Sequence, residues 1–269
     1  MKKNIVINVI ILLLIATATV CGYFFVREYM IAKEEMSEYA DLRNEYTTIV
    51  CPPAQENSSD PSLLETEDPN DLGLPYVEVD FDALLQINPD TVGWIAIPDT
   101  NISYPVVQTV NNSKYLNISF EGSQSKAGTL FADKDNNMQP IDANIVIYGH
   151  NMGAGRSDMF NSLLLYKDYD YYMSHRYIQF DTIYQQHGFW KVFAVVELDV
   201  NTTNFIYQQM NFRNEDDFMI WVRNAMMRSI HKTDMTVLPD AHVLTLSTCD
   251  RSIYGRSGRF LVFAVKVYD

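Results

Sequence analysis

Apolar and polar positions along the chain fall into distinct regimes. Residues 5–26, "IVINVIILLLIATATVCGYFFV", carry no charge, and Asn8, Thr17 and Thr19 are their only clearly polar side chains. A helix of about 20 residues spans a bilayer core, so this run predicts a transmembrane helix. Lys2 and Lys3 precede it, which predicts a cytoplasmic N-terminus with the rest of the chain outside the cell. The run is longer than the apolar core of a cleaved signal peptide, and helical character continues through Arg27. Residues 1–26 are therefore expected to be an uncleaved signal anchor. Residues 27–50 are charged, with Met30, Met36, Tyr39 and Leu42 loosely spaced, and predict a juxtamembrane helix stopped by Pro52 and Pro53. Residues 51–75 are polar, acidic and proline-bearing and predict a flexible spacer.

From residue 76 to 269 the pattern is that of a folded domain. A short helix is expected before Pro89, then strands at Trp94–Ile97, "YPVVQ", Thr129–Ala132 and "ANIVIYGH". "SDMFNSLLLYKD" predicts a short helix with Met159, Leu163 and Tyr166 on one face. "YIQFDTIYQQHGFWKVFAVVELD" predicts two or three strands with a hairpin at "QQHG". Residues 214–231 predict an amphipathic helix, with Phe218, Trp221, Ala225 and Ile230 marking its apolar face. "AHVLTLSTC" and "GRFLVFAVKV" are the last two strands. Strands follow strands far more often than helices, so the fold class is mainly β, a barrel or sandwich of about eight strands with peripheral helices.

Charge and cysteine content narrow the function. Acidic residues number 34 against 20 basic, a formal net charge of -14. That balance excludes a general nucleic-acid binder, which needs a basic footprint. Cys21, Cys51 and Cys249 do not form a disulfide framework or a metal-ligand spacing, and neither a metal nor a cofactor is expected.

Cys249 ends an alternating strand. Leu244 and Leu246 fall on one face, while Thr245, Ser247 and Cys249 fall on the other. If the last two strands pair antiparallel across the connection 250–258, Arg259 lies beside the thiol. A guanidinium there favours thiolate and stabilises charge on a substrate carbonyl. Composition alone leaves a buried, inert thiol equally open. Of the five histidines, His150 has the best placement, at the end of "NIVIYGH" after Gly149, a residue that can open space for a ligand.

These residues resemble the sortases. "TLSTC" at 245–249 matches the TLxTC signature, Arg259 stands where the family's arginine belongs, and "YGHN" around His150 is similar to its histidine region. Ser247, "YGHNM" and the long helix between late strands resemble class B in particular. The resemblance implies a closed β-barrel and a membrane-anchored cysteine transpeptidase on the outer face of a Gram-positive cell. Such an enzyme cuts a C-terminal sorting motif in secreted proteins through a thioacyl intermediate. It then joins the product to an amine of a lipid-linked peptidoglycan precursor, or to a pilin amine in members that polymerise pilins. A cysteine peptidase that only hydrolyses is the other enzymatic reading. The implied roles are Cys249 as nucleophile, His150 as acid and base, and Arg259 as substrate or oxyanion holder. Asn112 and Leu116 in "NNSKYL", Thr203 and Ile206 before the long helix, and Ser247, Thr248 and Asp250 around the nucleophile are the implied substrate-groove residues.

Overall fold

The computed structural model describes residues 2–51, 74–153, 156–184, 187–233 and 235–267. Most of the expected spacer over 51–75 lies outside the described residues.

The chain divides into two units, residues 1–42 and 43–269. Helix α1 runs Lys2–Tyr46, and from Ile7 onward it is long and apolar enough to cross a membrane. Its threonines do not interrupt it. Thr17 Oγ1 donates to the Leu13 carbonyl and Thr19 Oγ1 to that of Ile15, so neither hydroxyl is left for an apolar environment to penalise.

The expected juxtamembrane helix ends earlier than residue 50. Thr47–Val50 form strand β1, which pairs antiparallel with β2, Tyr76–Val79. The β-branched run Thr47, Thr48, Ile49 and Val50 suits a ladder better than a helix. Gln179 brackets β2, accepting from Val77 N and donating to Val77 O, both at 2.7 Å.

The remaining strands close into an eight-stranded barrel. They are β3 (Thr91–Ala96), β4 (Ser103–Val107), β5 (Leu130–Ala132), β6 (Asn144–Tyr148), β7 (Tyr177–Thr182), β8 (Phe189–Asp199), β9 (Val243–Cys249) and β10 (Gly258–Lys266). Their order around the barrel is β10-β8-β7-β3-β4-β5-β6-β9. Two neighbouring pairs are parallel, β4 with β5 and β6 with β9; the others are antiparallel. Helix α2 (Phe81–Ile87) precedes β3, capped by Asp80, whose carboxylate accepts from Ala83 N. The segment read as a short helix is a 3₁₀ helix, Phe160–Lys167, followed by α3, Tyr169–Ser174. Met159, Leu163 and Tyr166 are buried there, as their spacing predicts.

Helix α4, Glu215–Arg228, is shorter than the predicted 214–231. Asn214 caps it and three acidic side chains occupy its first turn, where the helix dipole favours them. It stops because the chain turns to dock on β8: Ser229 Oγ accepts from Val195 N, and Ile230 N donates to Val195 O. Ile230 consequently leaves the apolar face and is half exposed. Phe218, Trp221 and Ala225 do pack inward, with Phe205 and Tyr207, over Leu261, Phe263 and Val265 of β10. The β9 face carrying Thr245 and Ser247 lies under this layer. It is polar in composition yet buried, with Thr245 Oγ1 donating to Asn144 Oδ1 at 2.7 Å.

Candidate active site

The site is assembled at one rim of the barrel. Because β6 and β9 run parallel, their C-terminal ends emerge at the same rim. His150 follows β6 and Cys249 ends β9. Because β10 runs antiparallel to β9, its first residues return to that rim, and Arg259 is the register partner of Cys249. Residues so paired have Cβ atoms about 4.5–5.5 Å apart and side chains on one face. All three cysteines are free; Cys249 is half-buried, and Cys21 and Cys51 are exposed.

Gly149 does not open space for a ligand, as its sequence position suggested. A Cβ there would meet Leu130 Cδ2 at 2.4 Å and Phe160 Cδ2 at 2.6 Å. The glycine instead lets the core close behind the histidine. Its N–H donates to Ser247 O, and Thr248 Oγ1 donates to its carbonyl at 2.8 Å. Thr248 is therefore a buried tie between the two strand ends.

The His150 ring is oriented by the chain itself. Nε2 lies 2.7 Å from the carbonyl oxygen of Leu116. A carbonyl only accepts, so Nε2 carries the proton in this contact and Nδ1 is the nitrogen left to exchange one. Leu116 thus acts on His150 through its backbone. Asn151 closes the other link: its side-chain Nδ2 donates to the Cys249 carbonyl at 2.7 Å. The loop beyond is pinned at Met159, which takes a left-handed backbone (φ 52°), donates its N–H to Tyr104 Oη and bridges to Asn151. Burial pushes the Tyr104 phenol up to about 12, against the pull of that Met159 N–H.

Two tyrosines extend the polar surface around Arg259. Ser247 Oγ donates to Tyr207 Oη at 3.4 Å. Burial raises the Tyr207 phenol above its ordinary value, with the Arg259 guanidinium pulling it back. Burial likewise raises Tyr148, which donates to Asp133 Oδ2 at 2.8 Å. Asn112 donates to the same oxygen at 3.0 Å and accepts from Lys134 N at 2.7 Å. Both ends of its amide are thereby committed.

The other groove residues expected from sequence divide by location. Thr203 Oγ1 accepts from Phe205 N, shaping the loop into α4. Ile206 is 63% exposed, and its carbonyl accepts from Trp221 Nε1, so its side chain stands free on a fixed backbone. Ser247 and Asp250 are buried. Asp250 carries a fully used carboxylate, with Oδ2 on Lys167 Nζ at 2.6 Å and Oδ1 on Ser252 N and Oγ. Burial works to raise its pKa, but Lys167 and Ser252 prevail and hold it below the ordinary value.

A cleft of about 650 Å³ opens at the thiol, lined among others by Asn151, Arg156, Leu164, Leu165 and Cys249. Sequence reasoning passed over Tyr148, Asn151, Lys167 and Tyr207. Two of these stand inside the quoted "YGHN" and one directly after Ile206, so position was available as a signal while chemistry was not.

Comparisons with known proteins bear on the family and the fold. The Sortase domain model matches residues 95–267. Sortase B of Staphylococcus aureus (strain NCTC 8325 / PS 47) is 26% identical over 264 residues, covering 98% of each chain. The structure of sortase B from B. anthracis in complex with AAEK1 superposes with a TM-score of 0.70 at 29% identity, covering 90% of this chain and all of that one. A Staphylococcus aureus sortase B–substrate complex superposes at 0.68 and 26% identity, covering 88% of this chain and 98% of that one.

Proposed function

The chain belongs to the sortase family as a class B cysteine transpeptidase, and we propose that it cleaves a C-terminal sorting motif in secreted proteins and transfers the acyl product to a cell-wall amine. The observation that carries this reading is the pairing of Cys249 with Arg259 across the ladder, at the rim where His150 emerges. The Staphylococcus aureus relative has been captured in a complex with its substrate, which supports reading this rim as a substrate site.

Each step uses a group at this rim. The Cys249 thiolate attacks the scissile backbone carbonyl, and the carbonyl electrons move onto oxygen. Arg259 stabilises that oxyanion or holds the peptide beside it. Collapse breaks the C–N bond, and His150 gives its Nδ1 proton to the leaving amine, so a thioester remains on Cys249. The incoming amine attacks the thioester and gives a proton back to His150. The thiolate then leaves, restoring the starting state. Of the candidate donor-groove residues Ser247, Thr248, Asn112, Leu116, Thr203, Ile206 and Asp250, the exposed Ile206 side chain is the most available for peptide contact. Helix α1 anchors the enzyme, and Lys2 and Lys3 keep its N-terminus in the cytoplasm. The catalytic domain then works outside the cell, where a lipid-linked peptidoglycan precursor or a pilin supplies the amine.

The test is a library of sorting-motif peptides incubated with the detergent-solubilised chain and an amine acceptor. An acyl adduct on Cys249 by intact mass, followed by an amide product, is expected. Hydrolysis without amide product would make the protein a peptidase, and absence of any adduct would end the proposal.

A further inference from the structure

Lys167 lies outside every motif that marks this site. It ends the 3₁₀ helix Phe160–Lys167, and its ammonium is shared between two carboxylates. Nζ is 2.6 Å from Asp250 Oδ2 and also pairs with Glu197 Oε1 on β8. It rests over the Phe260 ring, 5.6 Å from the centroid. The Asp250 side chain is 6% exposed and that of Glu197 17%, so both carboxylates are largely removed from water.

The neighbourhood gives this cluster its meaning. Asp250 is next in the chain to Cys249. Its N–H donates to Gly258 O, and its other carboxylate oxygen caps the short helix α5 (Arg251–Tyr254) through Ser252. Glu197 is the register partner of Phe260, and Leu198 that of Arg259. One ammonium therefore ties the chain just after the nucleophile to the strand that flanks Arg259.

We propose that Lys167 is a positioning residue for transpeptidation, acting through Asp250 and Glu197 to fix the backbone of Cys249 against Arg259. The inference rests on the reading of Cys249 as the nucleophile. The Lys167 side chain keeps 35% of its surface exposed, but its two partners do not, so removing the cation strands two largely desolvated carboxylates.

The charge on the cluster has to be separated from its shape. Lys167, Glu197 and Asp250 together carry one net negative charge. In K167M/E197Q only Asp250 remains charged, which preserves that net charge while cutting the clamp. Other charged or titratable groups near the thiol are His150 after β6, Arg259 on β10, Tyr207 in the loop before α4 and Arg156, which lines the same cleft.

The experiment measures kcat and KM for amide formation with full-length wild type, K167R, K167M and K167M/E197Q, beside their thermal melting. K167M and the double variant are expected to lose about 10- to 100-fold in kcat, the scale on which small misplacements cost rate. Little change in KM is expected, and K167R should recover most of the rate. If K167M unfolds, the double variant carries the test, since it leaves no unpaired carboxylate couple. Wild-type kcat in the folded double variant would overturn the proposal, because it would mean that charge alone mattered. Failure of wild type itself to form an adduct would be a failure of the functional reading and not of the clamp.

Discussion

The side-chain amide of Asn151, the residue next to His150, donates to the backbone carbonyl of Cys249 at 2.7 Å across 98 positions of sequence. One side chain thus spans the two segments that carry the proposed acid–base and nucleophile. Asn151→Ala removes the donor and leaves a half-buried carbonyl unpaired, a cost of about 1 kcal/mol. Melting should fall modestly, while kcat falls about tenfold or more because the rim loses registration. Equal, small losses in kcat and stability for Asn151→Ala and a distant surface control would contradict this.

Cys249→Ala is expected to abolish both the acyl adduct and amide product with little change in melting, since the residue is only half-buried. Arg259→Lys keeps the charge but loses the planar donor fork. Its rate should lie between wild type and Arg259→Ala, with the alanine variant down about 10²–10³-fold. Steady-state aminolysis of the same peptide measures all three.

Gly258 has no room for a side chain. A Cβ there would lie 1.9 Å from the Asp250 carbonyl oxygen. Gly258→Ala must push the start of β10 away from the end of β9, costing about 1–3 kcal/mol. Because Arg259 is the next residue, activity should fall further than the melting shift alone explains. Denaturant unfolding beside activity separates the two effects.

The depressed pKa of Asp250 makes a signed claim about pH. An unfolded aspartate titrates near 3.9, and the folded one below that. Its contribution to stability is therefore full above about pH 4 and is lost as pH falls through the folded value. Wild type should melt higher than Asp250→Asn at neutral pH, and the gap should narrow in acid below the usual carboxylate value. A gap that widens in acid would reverse the sign and refute the assignment. The effect is measured as melting temperature against pH for both proteins.

Membrane orientation has a direct readout in the exposed Cys51, which follows β1. In Cys249→Ala, a membrane-impermeant maleimide applied to intact cells should label Cys51 and leave Cys21, within the apolar run, unlabelled. Labelling of Cys51 only after lysis would place the domain inside.

Much of the barrel was readable because each strand carries its own signal. β6 and β9 are runs of Ile, Val, Leu and Thr that need no partner to be recognised. The alternation of Leu244 and Leu246 with Thr245 and Ser247 also set the direction of Cys249. What stayed hidden depends on tertiary partners. Thr47–Val50 read as the end of a helix because β2, which completes its ladder, comes 26 residues later. The end of α4 was misplaced because Val195, a residue of another strand, stops it. That His150 and Cys249 emerge at one rim had no spacing argument at all; it follows from the parallel contact of β6 with β9. Lys167 was invisible for the same reason, since its partners are 83 residues and a strand away.

That parallel contact also constrains when the chain can become reactive. β6 and β9 are joined through β7, β8 and α4, so closing them carries the loop-closure cost of roughly a hundred residues before any contact repays it. A hairpin of β9 with β10 can form locally and bring Arg259 to Cys249, yet it contains no histidine. In the proposed mechanism the thiol gains its proton partner only when the barrel seals. On the proposed mechanism, a chain whose barrel has not sealed lacks the acid–base that amine release and aminolysis need, so the topology ties turnover to completed folding.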